Sequence, residues 1–333
     1  MYDVVLPVTA CLRAGTRVDV AWAVEVTGFA GRDRGEALAL TPGGGRIGGV
    51  LGGAANDQLA DAAARGGRGR LVSLTVSDLE AQVAGLARGG SARCLVVPGD
   101  ALPTALWQHL ADREAVCLVS QLDGDQVLDT SVFTADDVSD AGEEAARLFA
   151  RGVSDAAVTE TSVVTVLCPV PKLVIVGGGP IAQALSDAAR LLGWNIAVGT
   201  DPATATGLIA GLAPLDKVVV MAHDVEVAGP ALEAALATDV GYIAGLGARH
   251  MQQLRADWLA MRGATGADRI HGPAGLDIGA GAPAEIAVSV LAEALAVRAG
   301  ASGGFLSGPT GQTGPTGQAG PTGQTGPPRQ ANP

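Results

Sequence analysis

Over the first 150 residues, short apolar runs are broken by polar, glycine-punctuated stretches at no fixed interval. Residues 1 to about 20 read as a helix ending at Leu12-Arg13-Ala14-Gly15, followed by a β-like run from Val18 to Val26. The runs Glu36 to Thr41 and Arg46 to Val50 flank Pro42-Gly43-Gly44-Gly45, which predicts a hairpin. Leu51 to Asp57 opens a helix that continues through Ala64. Strands are predicted over Arg70 to Val76, Ala92 to Pro98 and Ala115 to Leu122, and helices over Pro103 to Ala111 and Ala141 to Ala150. Strands and helices mixed in this way fit an α+β domain.

From Val163 the pattern reads as regular β–α alternation. Strands are predicted at Leu173 to Val176, Trp194 to Val198, Lys217 to Ala222 and Gly241 to Gly245. Helices are predicted after Pro180 and over Pro230 to Ala237, Ala248 to Arg262 and Pro283 to Arg298. Such alternation predicts a parallel sheet covered on both faces. The expected fold class is therefore α/β: a C-terminal Rossmann-like, doubly wound parallel sheet over residues 165–300, preceded by a smaller α+β domain over residues 1–160. Residues 301–333 form the remainder, in which residues 308–328 are seven consecutive Gly-X-Y triplets. Proline reaches the third position only at Pro328, so the run is expected to be a disordered, collagen-like polar tail and not a triple helix.

One junction carries chemistry. Leu173-Val174-Ile175-Val176 meets Gly177-Gly178-Gly179, and Pro180, Ile181 and Ala182 open the helix that follows. Gly177, Gly179 and Ala182 fit the G-x-G-x-x-G/A spacing of a dinucleotide-binding turn. The first glycine permits the sharp turn and the second lets a pyrophosphate approach the backbone. Ala182 lets the helix pack against the strand, and the N–H groups of the first helical turn face the phosphates. Asp201, at the end of the next predicted strand, is placed to hold a ribose diol.

Composition narrows the readings. The 333 residues are 48% hydrophobic but only 3% aromatic, so the cores must be built from Ala, Val, Leu and Ile. A formal net charge of −12 argues against nucleic acid or an anionic membrane surface as the main partner. Cys11, Cys94, Cys117 and Cys168 are far apart, form no CxxC, and read as thiols and not as a zinc cluster. There is no secretory signal and no apolar run long enough to span a bilayer, which sets a soluble cytoplasmic protein as the expectation.

In doubly wound sheets, ligands sit beyond the carboxyl ends of the strands. Three further features fall on that edge. His223 and Asp224 follow a strand, where the histidine could bind a ligand or act as an acid or base and the aspartate could be a helix cap. Gly245-Leu246-Gly247-Ala248-Arg249-His250 is a second glycine junction, with Arg249 available to pair with a phosphate or with solvent. Ile270 to Ala280 is a glycine-rich segment that either lines the site or positions the last helix.

These residues resemble the XdhC/CoxI family, the accessory proteins of xanthine and carbon monoxide dehydrogenases. The likeness is carried by Gly177-Gly178-Gly179-x-x-Ala182, Asp201-Pro202, His223-Asp224, Tyr242-Ile243 with Leu246-Gly247-Ala248-Arg249, the segment Arg269 to Ala280, and Pro283-x-Glu285-Ile286-Ala287. In the N-terminal half the chain departs from the pattern. Ala54 and Arg88 stand where the family has cysteines, and Leu51 stands where it has serine, so contact of a thiolate with molybdenum or sulfur is in doubt. The resemblance implies a chaperone, not a catalyst, that binds the dinucleotide form of the molybdenum cofactor and inserts it into a xanthine or carbon monoxide dehydrogenase type molybdenum hydroxylase. A sulfur donor and a second copy of the chain, as a homodimer, are the further partners it implies. The cofactor-binding set would be Gly177, Gly178, Gly179, Ile181, Ala182, Asp201, His223, Asp224, Gly247 and Arg249, with no catalytic residue and no metal ligand. The glycine turn suits NAD(P) equally, so an NAD(P)-dependent oxidoreductase is the alternative. A degenerate partner-binding protein without cofactor handling is the third reading.

Because the Gly-X-Y run has no hydrophobic face, removing residues after Gly303 should leave the melting temperature unchanged in a thermal denaturation scan. A large fall would show that the tail packs on the fold.

Overall fold

The computed structural model describes residues 1–29 and 35–305; the Gly-X-Y run lies outside them. Nine strands build the first sheet: β1 (Asp19–Thr27), β2 (Ala37–Leu40), β3 (Arg46–Gly48), β4 (Arg70–Val76), β5 (Gly90–Pro98), β6 (Val116–Asp123), β7 (Gln126–Phe133), β8 (Asp155–Val158) and β9 (Ser162–Leu167). They lie in the order β3-β2-β1-β5-β4-β7-β6-β9-β8, and the pairings are antiparallel. Alternate residues of β1 feed opposite cores. Val20, Trp22 and Val24 join Leu95 and Leu118 on one face, while Ala21 and Ala23 join Leu38 and Cys94 on the other. With helices packed over both faces, β1 lacks the apolar–polar alternation of a half-exposed strand: Asp19 to Val24 are all buried. The helices of this part are α1 (Val5–Arg13), α2 (Asn56–Ala64), α3 (Asp78–Val83), α4 (Thr104–Ala111) and α5 (Glu143–Ala150).

The second sheet has five strands: β10 (Lys172–Val176), β11 (Asn195–Gly199), β12 (Lys217–Val220), β13 (Tyr242–Gly245) and β14 (Ile270–His271). Its order is β11-β10-β12-β13-β14, every pair parallel. The helices α6 (Pro180–Leu191), α7 (Pro202–Ile209), α8 (Val225–Leu236), α9 (Arg249–Met261) and α10 (Pro283–Ala299) cover both faces. Leu173 and Ile175 pack with α6 and α10, and Val174 and Val176 with α7, α8 and α9. That two-sided burial explains the unbroken apolar run of β10.

Several elements differ from the sequence reading. Val163 lies on β9, which pairs antiparallel with β6 in the first sheet, so the parallel alternation starts at Lys172. Helix α8 starts at Val225, one turn earlier than the prediction, and holds Pro230 in its interior. α3, β7, β8 and α7 were not expected.

The two sheets meet at a buried ion pair. Arg113, in the turn between α4 and β6, donates from Nη1 to Asp216 Oδ2 at 2.6 Å and from Nη2 to Oδ1 at 3.1 Å. Asp216 is 0% exposed and also accepts from the backbone N–H groups of Lys172 and Ala213, at 2.7 and 2.8 Å. Arg113→Ala would leave that buried carboxylate without its counter-charge, so it should lower unfolding free energy by about 3 kcal/mol, measured by urea denaturation. A change below about 0.5 kcal/mol, the size expected of a surface substitution, would show that the pair is dispensable.

Candidate functional site

The carboxyl ends of β10 and β12 lie side by side at the point where strand order reverses, the switch point at which open α/β sheets bind ligands. Val176 O accepts the N–H of Met221 at 2.8 Å and that of Ala222 at 3.0 Å, while Gly177 N–H donates to Gly199 O at 2.9 Å. Gly177 has φ +114°, and a Cβ there would lie 2.8 Å from Ala222 N. Only glycine lets the loop after β12 pass this closely.

Gly178 and Gly179 are exposed. Gly179 has φ +103° and stands at the N-cap of α6 with no side-chain cap, and nothing lies within 4 Å of the position its Cβ would take. Pro180 occupies the first helical turn, where its missing N–H is not needed. Ile181 is half-buried and Ala182 is buried in the core shared by α6 and α10. The result is an open helix N-terminus with approach to its backbone from solvent, the geometry that accepts an anion.

Asp201 follows β11 directly. Its Oδ1 accepts Thr204 N–H at 2.9 Å, capping α7, and that bond holds its carboxyl below the usual range. Asp224 caps α8 in the same way, accepting Glu226 N–H at 2.9 Å. His223 precedes it and is exposed. Gly247, at φ +129°, and Arg249, the exposed first residue of α9, lie beyond β13. The structure therefore brings Gly177–Gly179 against the Ala222–Asp224 loop. It sets Asp201 and Arg249 on opposite flanks, roughly 14 Å apart at about 4.8 Å per strand.

Two side chains that the sequence reading passed over shape this edge. Arg255 of α9 is 3% exposed and donates from Nη1 to Leu246 O at 2.7 Å and from Nη2 to Ala222 O at 3.0 Å. Gln252 donates from Nε2 to Gly245 O at 2.8 Å and to Gly247 O at 3.1 Å. Together they tie the loops after β12 and β13. The signal was present: Arg255 falls four residues before Leu259 and four after Met251, on the stripe that α9 turns inward.

The glycine-rich segment after β14 closes the far side. Ala274 N–H donates to Gly245 O at 3.0 Å, Ser289 Oγ donates to Leu276 O at 2.6 Å, and Gly275 N–H donates to Glu293 Oε2 at 2.8 Å. Tyr242 O–H reaches the same Glu293 oxygen at 2.6 Å. These bonds hold the segment down on α10 and leave Asp277, Ile278 and Gly279 exposed.

The positions that depart from the family pattern are occupied structurally. Arg88 Nε donates to Gly28 O at 2.7 Å, and Ala54 packs against the core beside Leu51 and Leu59. Cys94 and Cys117 are free thiols whose pKa burial pushes up to about 12, which keeps them protonated at neutral pH. Among the described residues no group of three or more His, Cys, Asp or Glu side chains could hold a metal ion. Nor is any helix among them long and apolar enough to cross a membrane.

A doubly wound parallel sheet with a glycine turn at its switch point is a Rossmann-type domain. More particularly, residues 173–294 match the model of the XdhC Rossmann domain. The Escherichia coli (strain K12) protein named uncharacterized protein YqeB is 32% identical over 162 residues, covering 42% of this chain and 30% of that protein. The matched segment thus spans less than a third of that relative's length. A crystal structure from Bacillus halodurans described as a xanthine dehydrogenase is 20% identical, covers 88% of this chain and 95% of that one, and superposes with a TM-score of 0.44.

The close approach at Gly177 and the open space at Gly179 make a testable contrast. Gly177→Ala should destabilise the protein more than Gly179→Ala does, since both meet a backbone penalty of about 1–3 kcal/mol but only Gly177 adds a clash. Equal losses in chemical denaturation would mean that the Ala222 contact does not constrain the turn.

Proposed function

We propose that this chain is an accessory protein of a xanthine dehydrogenase type molybdenum hydroxylase, and that its Rossmann edge binds the dinucleotide form of the molybdenum cofactor for delivery to that client. The observation that carries the proposal is the uncapped N-terminus of α6 behind Gly179, in a domain that matches the XdhC Rossmann model. The free N–H groups of the first turn and the empty space before Gly179 fit a pyrophosphate. Asp201 fits a ribose diol on one flank, and Arg249 adds positive charge on the other. His223 and Asp224 line the crevice between them.

The molybdenum centre is the part of the cofactor that would serve the client's redox chemistry. Of the chain's cysteines, Cys94, Cys117 and Cys168 are buried away from it and Cys11 is half-buried. The proposed role is therefore to hold and hand over the nucleotide end. A client enzyme, a sulfur donor and self-association as a homodimer belong to the same proposal. NAD binding for hydride transfer is the second reading, favoured by the acid at the end of the second parallel strand.

Metal analysis and native mass spectrometry of the purified protein test the first reading, with molybdenum and a pterin dinucleotide as the expected cargo. Turnover of NAD(P) with an added substrate, without molybdenum, would replace it with the second. Gly179→Val should abolish dinucleotide binding while the protein stays folded. Asp201→Asn separates capping from binding, because asparagine caps as well as aspartate but carries no charge. We expect unchanged thermal stability, about tenfold weaker binding of the 2′-hydroxyl ligand, and relaxed rejection of NADP relative to NAD. Identical affinities of both proteins for NAD, NADP and a cytidine dinucleotide would remove Asp201 from the site.

A further inference from the structure

The turn between α2 and β4 reads Arg65-Gly66-Gly67-Arg68-Gly69-Arg70. Gly66 and Gly67 have φ of +64° and +91°, so the chain reverses through two successive left-handed residues. The turn is anchored. Gly69 is buried, and a Cβ there would lie 3.0 Å from Val97 Cγ2 and 3.2 Å from Val127 Cβ. Its carbonyl accepts Val127 N–H at 2.8 Å, and Leu71 N–H donates to Asp125 O at 2.7 Å. Arg70 is half-buried and its Nη2 donates to Gly66 O, so one guanidinium is fixed across the turn.

Arg65 and Arg68 are exposed, and neither has an ion pair or hydrogen bond among the described residues. With Arg70 they line a cleft of about 500 Å3, a size that accepts a small molecule. Ser73 and Gln126 add polar groups, and Asp125 is the single acid of the lining. Three arginines against one aspartate leave an excess of two positive charges, in a chain whose formal net charge is −12. Guanidinium groups lining one cleft favour an anion between them, and their donor geometry matches phosphate oxygens two at a time.

We propose that the Arg65–Arg70 turn is a second binding site, separate from the Rossmann edge, for the di- or triphosphate group of a small ligand. One fixed guanidinium and two free ones suit more than a single phosphate. The free pair closes on the anion and the glycines keep the cleft floor clear of side chains. A nucleoside polyphosphate and inorganic pyrophosphate share this chemistry.

Isothermal titration of the full chain at low salt with inorganic pyrophosphate and with ADP tests the proposal. Three proteins are compared: wild type, Gly179→Val, and the double variant Arg65→Ala/Arg68→Ala, whose changes are confined to exposed side chains. We expect Gly179→Val, whose Rossmann edge is blocked, to keep a pyrophosphate-binding event, and the double variant to lose at least about tenfold in affinity at the turn. Tighter binding of ADP than of pyrophosphate would identify a nucleotide as the ligand, and equal binding would identify the free anion. The proposal is overturned if the double variant binds as wild type does, if wild type does not bind pyrophosphate, or if Gly179→Val alone abolishes the event. It is also overturned if a single-stranded RNA oligonucleotide binds the wild-type turn about a hundredfold more tightly than pyrophosphate.

Discussion

Asp216 is the constraint on which the geometry depends. A fully buried carboxylate is tolerated only when its oxygens are satisfied, and here four N–H groups converge on it. Two come from the guanidinium of Arg113, which also donates to Val170 O at 2.9 Å. One comes from Lys172, the first residue of β10, and one from Ala213, just ahead of β12. The same carboxylate therefore sets the starting height of the two strands whose far ends form the switch point, and ties both to the first sheet. Lys217, the next residue, is buried with its amine 4.7 Å from the centre of the Trp194 ring; burial pulls its pKa down to about 8. The amino edge of the parallel sheet is thus fixed by charge, and its carboxyl edge is left to loops.

Those loops are held by a different device. Gly177 must lack a side chain for Ala222 to pass, and Arg255 must donate to Ala222 O and Leu246 O for the next loop to follow. Burying that guanidinium is costly, and its pKa is lowered accordingly, but each carbonyl it takes ties down one loop of the crevice. A crevice lined by backbone so firmly held needs little rearrangement to receive a ligand, which is the condition under which a few hydrogen bonds suffice for affinity.

The parallel sheet was legible because its signals are local. β10 is four buried aliphatic residues ending in glycine, and α10 carries Pro283 at its start and Glu285 in its first turn. β7 was not legible: of Gln126 to Phe133 only Val127 and Thr130 are buried, too sparse a pattern to stand out. α7 is made of weak helix formers, Thr204, Thr206 and Gly207 among them, and is held by its Asp201 cap, by Pro202 and by burial of Ala205 and Ile209. The Asp201-Pro202 pair is itself a helix-start signature, and putting the ribose role of Asp201 ahead of its alternative as a cap hid the helix behind it. The membership of β9 could not be read locally, because its partner β6 lies more than 40 residues earlier. Arg255 was missed for the opposite reason, since a charge on an inward stripe looks like noise until the carbonyls it meets are placed.

The caps also decide where on this edge an anion would settle. Five helices present their N-termini there, and each would attract negative charge. Asp201 occupies that of α7 and Asp224 that of α8, while Glu285 reaches the N–H groups of Gly281 and Ala282 at the start of α10, at 2.9 Å each. Each of these positions already holds a carboxylate of the chain itself. Only α6 and α9 among the five have no acid at the N-terminus, and they lie on opposite faces of the sheet. On the α6 face the open terminus is flanked by the occupied one of α10, so a pyrophosphate approaching that side meets a single set of free donors. Selectivity for one phosphate position would therefore arise less from what α6 contributes than from the acids that close its neighbours.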